Sequence, residues 1–219
     1  MSDEINIYHK IRVCKDFKRT VAWTEIARYL QKFININGTV LELGAGKCLL
    51  INNIKAEKRI AVDLLSDIEN YAAPEVKTYS GDCSSLEFIE NNSIDTVLSA
   101  CLFEHLSWEK IDLSINEINR VLKKDGRLIC ILPNFKYNYK KYFDDYSHRT
   151  ILTDISFSEF LLSKNFKIEF CFPRFLPDPS QFVRSNNFQL PFLKYIIRIY
   201  LNSVFKPFAE LMLIVAKKQ

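Results

Sequence analysis

Glycine is scarce in this sequence, at five of 219 residues. A chain that uses glycine so rarely places it where a side chain would collide, either because the backbone needs a positive φ or because a ligand must lie against it. Two of the five, Gly44 and Gly46, lie together in the segment Val40–Cys48, which is typical of a buried strand followed by a glycine turn and a helix. This turn favours a bound nucleoside.

The sequence also has no large excess of positive or negative charge. Lys and Arg together number 30 and Asp and Glu 26, which gives a net charge of +4 with no basic run. Such a weak balance argues against nucleic acid as the main partner. The N-terminal residues Met1–Glu4 are acidic and no long apolar stretch follows them, so we expect no signal peptide and a cytoplasmic protein.

Cysteine and histidine patterns of metal sites are absent. The six cysteines form no C-x-x-C pair, and none of the three histidines has ligand spacing. We therefore expect reduced thiols and no bound metal. Cys48 and Cys83 are predicted near the nucleoside, and we interpret both as small space-filling residues there.

Three predicted strands each carry an acid at or near their C-terminal end, namely Glu42, Asp63 and Asp82. The carboxyl ends of parallel strands form the edge where open α/β sheets bind ligands, and carboxylates there suit hydroxyls, amines and cations. A nicotinamide fingerprint, G-x-G-x-x-G, would have to end on glycine at position 49, which is Leu49. A nicotinamide cofactor is therefore disfavoured.

The order of these motifs resembles the class I S-adenosylmethionine-dependent methyltransferases. The run E-x-G-x-G-x-C from Glu42 is similar to the first motif of that family, with Cys48 in place of a third glycine. Ser93–Leu106 is similar to the family's fourth strand and the E-H-L turn after it, and Glu117–Pro133 to its next helix, glycine turn and fifth strand. The ordered set covers residues 38–133.

The resemblance implies S-adenosylmethionine as cofactor. Asp63 matches the acid that holds the ribose hydroxyls, and the turn Gly81–Cys83 matches the adenine-binding turn. The cofactor-binding residues that it implies are Glu42, Gly44, Ala45, Gly46, Asp63, Leu64, Asp82, Cys83 and Ala100.

The hydrophobic pattern and the resemblance together predict an α/β fold. It is a Rossmann-like doubly wound sheet, mostly parallel, with helices on both faces and an antiparallel edge pair from Phe166–Phe172 and Leu211–Ala216. A capping box at Ser156–Glu159 predicts a late helix. The predicted parallel strands lie near 39–43, 58–63, 76–80, 94–100 and 127–132, and helical stretches alternate with them.

We predict one domain over residues 1–219. It divides into a helical lead-in (1–37), a cofactor-binding core (38–133) and two acceptor-side insertions (134–149 and 173–207). The first insertion is rich in aromatic residues, which could stack on a sugar or screen the sulfonium.

His148, in Asp144–Arg149, is the predicted general base, since histidine is matched to removing a proton near neutral pH. A carboxylate of this segment is predicted to orient the ring, and Asp145 is a catalytic candidate with it. The segment resembles one in bacterial methyltransferases of sugars and surface-glycan precursors. The alternatives are a solvated, self-paired turn, or carboxylates that hold sugar hydroxyls directly. His105, in the E-H-L turn, is the second catalytic candidate, with helix capping as its alternative. His9 lies outside the recognisable domain.

We therefore predict an O-methyltransferase acting on a sugar or glycan precursor in bacterial surface-polysaccharide biosynthesis. The alternatives are a methyltransferase of a lipid-like or natural-product molecule, and a cofactor-binding protein without catalysis. A helix predicted over 192–205 is apolar and basic, and it could contact a membrane surface, form a homodimer face or cover the acceptor pocket. We prefer the last.

Overall fold

The computed structural model describes residues 17–177 and 192–219. Seven strands form one sheet in the order β3-β2-β1-β4-β5-β7-β6. The strands are β1 (Thr39–Leu43), β2 (Lys58–Asp63), β3 (Val76–Ser80), β4 (Ile94–Ala100), β5 (Leu122–Pro133), β6 (Phe166–Leu176) and β7 (Leu211–Lys218). The five predicted parallel strands and the late antiparallel pair are confirmed, with β5, β6 and β7 longer than predicted.

The first five strands are all parallel, whereas β7 lies between β5 and β6 and is antiparallel to both. The chain passes from β1 outward through β2 to β3 and then returns to place β4 on the other side of β1. The reversal makes the carboxyl ends of β1 and β4 the topological switch point, where sheets of this kind open a ligand crevice.

Helices cover both faces of the sheet, as predicted. They are α1 (Phe17–Leu30), α2 (Trp108–Val121), α3 (Phe135–Asn138), α4 (Asp154–Ser163) and α5 (Leu193–Asn202). Alternate strand residues face opposite sides, so that Val40 packs with α1 and α5 while Leu41 packs with α2 and α4. The core therefore consists of two apolar layers, one on each side of the strands.

The prediction of a helix after the glycine turn is wrong. Only turns and a 3₁₀ turn, Ile51–Asn53, connect β1 to β2, and a second 3₁₀ turn, Ile68–Asn70, lies before β3. The side chains of Asn52 and Asn53 both bond to backbone groups, since Asn53 donates to the Leu49 carbonyl and Asn52 accepts from the Ala73 amide. The first is a local bond of the kind that competes with helix formation, and the second is a tertiary contact that holds the turn.

The predicted capping box also begins three residues too late. The N-cap of α4 is Thr153, whose hydroxyl accepts from the Ser156 amide at 3.1 Å, while the Ser156 hydroxyl accepts from the Thr153 amide at 3.0 Å. Ser156 therefore closes the box instead of opening it.

The helix predicted over 192–205 is present as α5 and packs on α1. Arg198 donates two hydrogen bonds of 2.9 Å to the buried carboxylate of Glu25, and this pairing lowers the pKa of Glu25. The opposite side of the segment exposes apolar side chains, namely Phe192, Ile196, Ile199, Val204, Phe205 and Phe208. Within residues 17–177 and 192–219, no helix has the length and apolar character needed to cross a bilayer. Contact with a membrane or a second copy stays a prediction.

Candidate active site

The glycine turn after β1 is fastened to β2. Gly44 and Ala45 both donate to the Val62 carbonyl, at 2.9 and 3.2 Å. Gly44 has φ +67°, and a Cβ there would lie 2.9 Å from Cδ1 of Leu102, in the segment after β4. Glycine is therefore required both for the backbone conformation and for the close approach of the β4 end.

Cys48 occupies the position where the resembled motif has its third glycine. Its φ is +55°, a left-handed conformation that side chains disfavour, and the residue is buried. Burial raises the pKa of the thiol to about 12. Cys83 is buried beneath α2 with its Sγ 3.4 Å from the Ser114 hydroxyl. These placements support the interpretation that both cysteines fill space.

Two buried carboxylates end the first two strands beside this turn. Glu42 is 3% exposed and accepts from the Ile51 amide at 3.0 Å, and its burial raises its pKa to about 8. Asp63 accepts from the amides of Gly46 (2.7 Å) and Leu65 (3.0 Å). Because each carboxylate oxygen accepts more than one hydrogen bond, Asp63 retains the capacity to bind ribose hydroxyls.

The third acid, Asp82, follows β3 and is held by Ser84 and Lys110. The Lys110 ammonium lies 2.7 Å from one oxygen, and the Ser84 amide and hydroxyl donate to the other. Burial alone would raise the pKa of Asp82, but these bonds, led by that from Lys110, lower it. Ala100 ends β4, Ala45 is buried in the glycine turn, and Leu64 is exposed after Asp63. The predicted cofactor residues thus share one edge of the sheet, while their contacts with the cofactor stay predictions.

The E-H-L turn after β4 is a 3₁₀ turn, Phe103–His105. The helix after it, α2, is capped by Ser107, whose hydroxyl accepts from the Lys110 amide. The alternative in which His105 caps this helix is therefore wrong. Its Nδ1 instead lies 2.9 Å from the Ser147 hydroxyl. Ser147 belongs to the first of the two predicted insertions, residues 134–149, which we call the acceptor-side segment.

Backbone bonds attach the acceptor-side segment to this turn. The amides of Arg149 and Thr150 both donate to the carbonyl of Glu104, at 2.8 and 3.2 Å. The Thr150 hydroxyl donates to the Leu106 carbonyl at 2.5 Å. These bonds bring His148 beside His105, with ring centroids 4.9 Å apart.

A backbone carbonyl holds the ring of His148. Its Nδ1 lies 2.6 Å from the carbonyl oxygen of Tyr142, whose ring also packs on the imidazole. Asp145 accepts from the amide (3.0 Å) and the hydroxyl (2.6 Å) of Ser147, and the orientation of His148 by a carboxylate stays a prediction. Through that hydroxyl, Asp145 is connected to His105.

Glu104 is the functional candidate that the sequence analysis missed. It is 1% exposed, and its Oε1 lies 4.0 Å from Nε2 of His105. Its negative charge adds to burial in raising the pKa values of Cys130 and Tyr142. The signal that could have found it is its position, since it is another acid after a parallel strand, as Asp82 is.

The aromatic residues of the acceptor-side segment divide between core and surface. Tyr142 is buried and donates its hydroxyl to the Thr150 carbonyl. Four other aromatic side chains of the segment are exposed, namely Tyr137, Tyr139, Phe143 and Tyr146. Exposed aromatic side chains therefore lie in the same segment of the chain as His148.

Comparison with known proteins identifies the core segment. Residues 41–130 match the family model described as a methyltransferase domain. An uncharacterized protein of Methanocaldococcus jannaschii is 29% identical over 128 residues, which are 57% of this chain and 54% of that protein. The chain thus matches about half the length of this relative.

Solved structures share the fold over most of the chain. A S-adenosylmethionine-dependent methyltransferase of Archaeoglobus fulgidus has a TM-score of 0.66 at 18% identity, covering 98% of this chain and 99% of that one. A geranyl diphosphate C-methyltransferase of Streptomyces coelicolor, solved with Mg²⁺, geranyl diphosphate and S-adenosylhomocysteine, has a TM-score of 0.64 at 12% identity, covering 89% and 78%.

Residues 41–130 accordingly match a methyltransferase domain, and the chain shares its fold with methyltransferases that depend on S-adenosylmethionine. The residues present fit that molecule. The left-handed glycine turn lets a ligand lie against the backbone, and the acids at the ends of β1 and β2 suit its amino and hydroxyl groups.

Proposed function

We propose that the protein is an O-methyltransferase that transfers the methyl group of S-adenosylmethionine to a hydroxyl of a sugar or glycan precursor, in surface-polysaccharide biosynthesis in the cytoplasm. The observation that carries the proposal is the pairing of His105 and His148 after β4 and β5, on the carboxyl edge where the cofactor residues lie. A hydroxyl has to lose a proton during transfer, and imidazole is the side chain best matched to that step near neutral pH.

The reaction is an in-line displacement. The acceptor oxygen forms a bond to the methyl carbon as the carbon–sulfur bond breaks, and S-adenosylhomocysteine leaves. Holding the two atoms at roughly 3 to 3.5 Å supplies much of the rate enhancement. The acceptor's proton is removed at the pair of histidines, with Asp145 holding His105 through Ser147.

A sugar acceptor is supported by side chains in the same segment as His148. The exposed rings of Tyr139, Phe143 and Tyr146 offer apolar faces for a sugar ring. The acids Asp144 and Asp145 lie in the same segment and can accept hydrogen bonds from hydroxyls.

A lipid-like acceptor is the second candidate. It is favoured by the exposed apolar side chains along α5 and after it, including Ile199 and Phe205. These side chains could receive an acyl or prenyl chain while the transferred methyl group stays at the histidines. A homodimer contact through the same side chains is the alternative use of this surface.

Transfer from methyl-labelled S-adenosylmethionine to two acceptor pools tests the proposal. One pool contains nucleotide sugars and oligosaccharides, and the other contains lipid-linked and natural-product alcohols. We expect label in the first pool, with mass spectrometry locating it as a methyl ether. Label only in the second pool would favour the lipid-like acceptor, and cofactor binding without transfer to either would favour a protein without catalysis.

A further inference from the structure

Glu104, His105 and His148 form a group suited to a metal ion. One ligand atom from each lies within 4.8 Å of the others. We propose that these three side chains bind a divalent transition-metal ion such as Zn²⁺. Sequence spacing gave no sign of the site, because the fold, through the bonds of Arg149 and Thr150 to Glu104, brings the third ligand to the first two.

The hydrogen bonds fix the tautomer of each ring. The Tyr142 carbonyl can only accept, so the Nδ1 atom of His148 carries the proton. The Ser147 hydroxyl donates its one proton to Asp145, so it accepts from Nδ1 of His105. In its neutral form each imidazole therefore has its lone pair on Nε2, and this is the form in which a ring coordinates a metal.

These partners are those of metal-binding histidines. A coordinating imidazole usually donates its other N–H to a backbone carbonyl or a carboxylate, which fixes the ring and increases its basicity. His148 has the carbonyl of Tyr142, and His105 reaches the carboxylate of Asp145 through Ser147. The outer shell is thus already arranged around the ligand atoms.

The ligand set and its size indicate the kind of ion. Two imidazoles with one carboxylate are the ligands of catalytic zinc and of non-haem iron, and they leave positions open. Ligand atoms about 2.1 Å from a tetrahedral ion lie roughly 3.4 Å apart. The Glu104–His105 separation is 4.0 Å and all three ligand atoms lie within 4.8 Å, so the side chains would have to rotate inward to bind the ion.

The role of the ion rests on the proposed function. An acceptor oxygen bound to the ion would have a lowered hydroxyl pKa, so that its proton passes to water before the oxygen attacks the methyl carbon. The imidazoles would then act as ligands, and the ion would replace them in removing the proton from the acceptor. Metal binding itself does not depend on the identity of the acceptor.

Titration of the full chain with ZnCl₂, after chelator treatment and desalting, tests the site by calorimetry. CoCl₂ serves as a second probe through its visible absorption. We expect one ion per chain with micromolar or tighter affinity. His105→Ala, His148→Ala and Glu104→Gln should each weaken binding by at least about 100-fold, since even outer-shell changes cost 10- to 100-fold. Glu90→Gln, which removes an exposed carboxylate elsewhere, should leave it unchanged.

NMR of ¹⁵N-histidine gives a reading that does not depend on the variants folding. With three histidines in the chain, the Nε2 signals of His105 and His148 should both shift when Zn²⁺ is added. Signals that do not move, or an affinity for Zn²⁺ that His148→Ala leaves unchanged, would overturn the site. Zinc bound without methyl transfer to any acceptor would reject the proposed function alone, whereas methyl transfer without zinc binding would reject the site alone.

Discussion

The imidazole rings of His105 and His148 lie with their centroids 4.9 Å apart, although they follow different strands, β4 and β5. Both have their Nδ1 atoms bonded to the acceptor-side segment, to Ser147 and to the carbonyl of Tyr142. Since Nδ1 of each ring is engaged in this way, the proposed chemistry falls to Nε2, whether a ring takes the acceptor's proton or coordinates an ion.

Asp63→Asn should weaken S-adenosylhomocysteine binding by about 1.5 to 3 kcal/mol, because charge-assisted hydrogen bonds to the ribose are replaced by weaker ones. Asparagine retains an oxygen that can still accept from the Gly46 amide, as Asp63 does. Calorimetry measures the affinity, with Glu69→Gln, on the exposed 3₁₀ turn after β2, as the control. An unchanged affinity in Asp63→Asn would mean that the ribose lies elsewhere.

Glu42→Gln should change how stability depends on pH in the absence of cofactor. The folded pKa is raised from 4.5 to about 8 by burial, so between these values the folded state holds a proton that the unfolded state has lost. The free energy of unfolding of the wild type therefore falls as pH rises through this window, by a few kcal/mol in order of magnitude, and glutamine removes the fall.

Urea unfolding at pH 5.5 and pH 8 checks the Glu42 prediction. Glu42→Gln should gain stability relative to the wild type between the two pH values, whereas the exposed control Glu90→Gln should follow the wild type. Parallel curves for Glu42→Gln and the wild type would contradict the raised pKa.

Cys48→Gly should be more stable than Cys48→Ala. Both variants lose the buried sulfur, but alanine keeps the side-chain strain at φ +55°, which costs roughly 1 to 2 kcal/mol, and glycine does not. Cys83 does not have a positive φ, so Cys83→Ala should instead be more stable than Cys83→Gly, by about 0.5 to 1 kcal/mol in the free energy of unfolding. Urea unfolding of the four variants gives the comparison, and the same order at both positions would argue against backbone strain at Cys48.

Strands β1 and β2 were predictable because each contains a compact apolar run next to polar residues, and the acids Glu42 and Asp63 lie at or near their ends. The connections were not, because helix formation after Gly46 is decided by side-chain bonds, such as that of Asn52 to the Ala73 amide, that exist only in the folded chain. The placement of the catalytic candidates could not be predicted from the sequence either. The position of His148 beside His105 depends on the bonds of Arg149 and Thr150 to the Glu104 carbonyl, which spacing along the sequence does not reveal.

The central claim is that methyl transfer to a hydroxyl depends on the histidine pair, and the single-turnover rate of His148→Ala tests it most directly. The rate of methyl transfer from labelled S-adenosylmethionine should fall by about 10²- to 10⁴-fold across pH 6 to 9, with the affinity for S-adenosylhomocysteine unchanged. Glu90→Gln should match the wild type. A His148→Ala rate within about threefold of the wild type, with the same pH profile, would contradict the account.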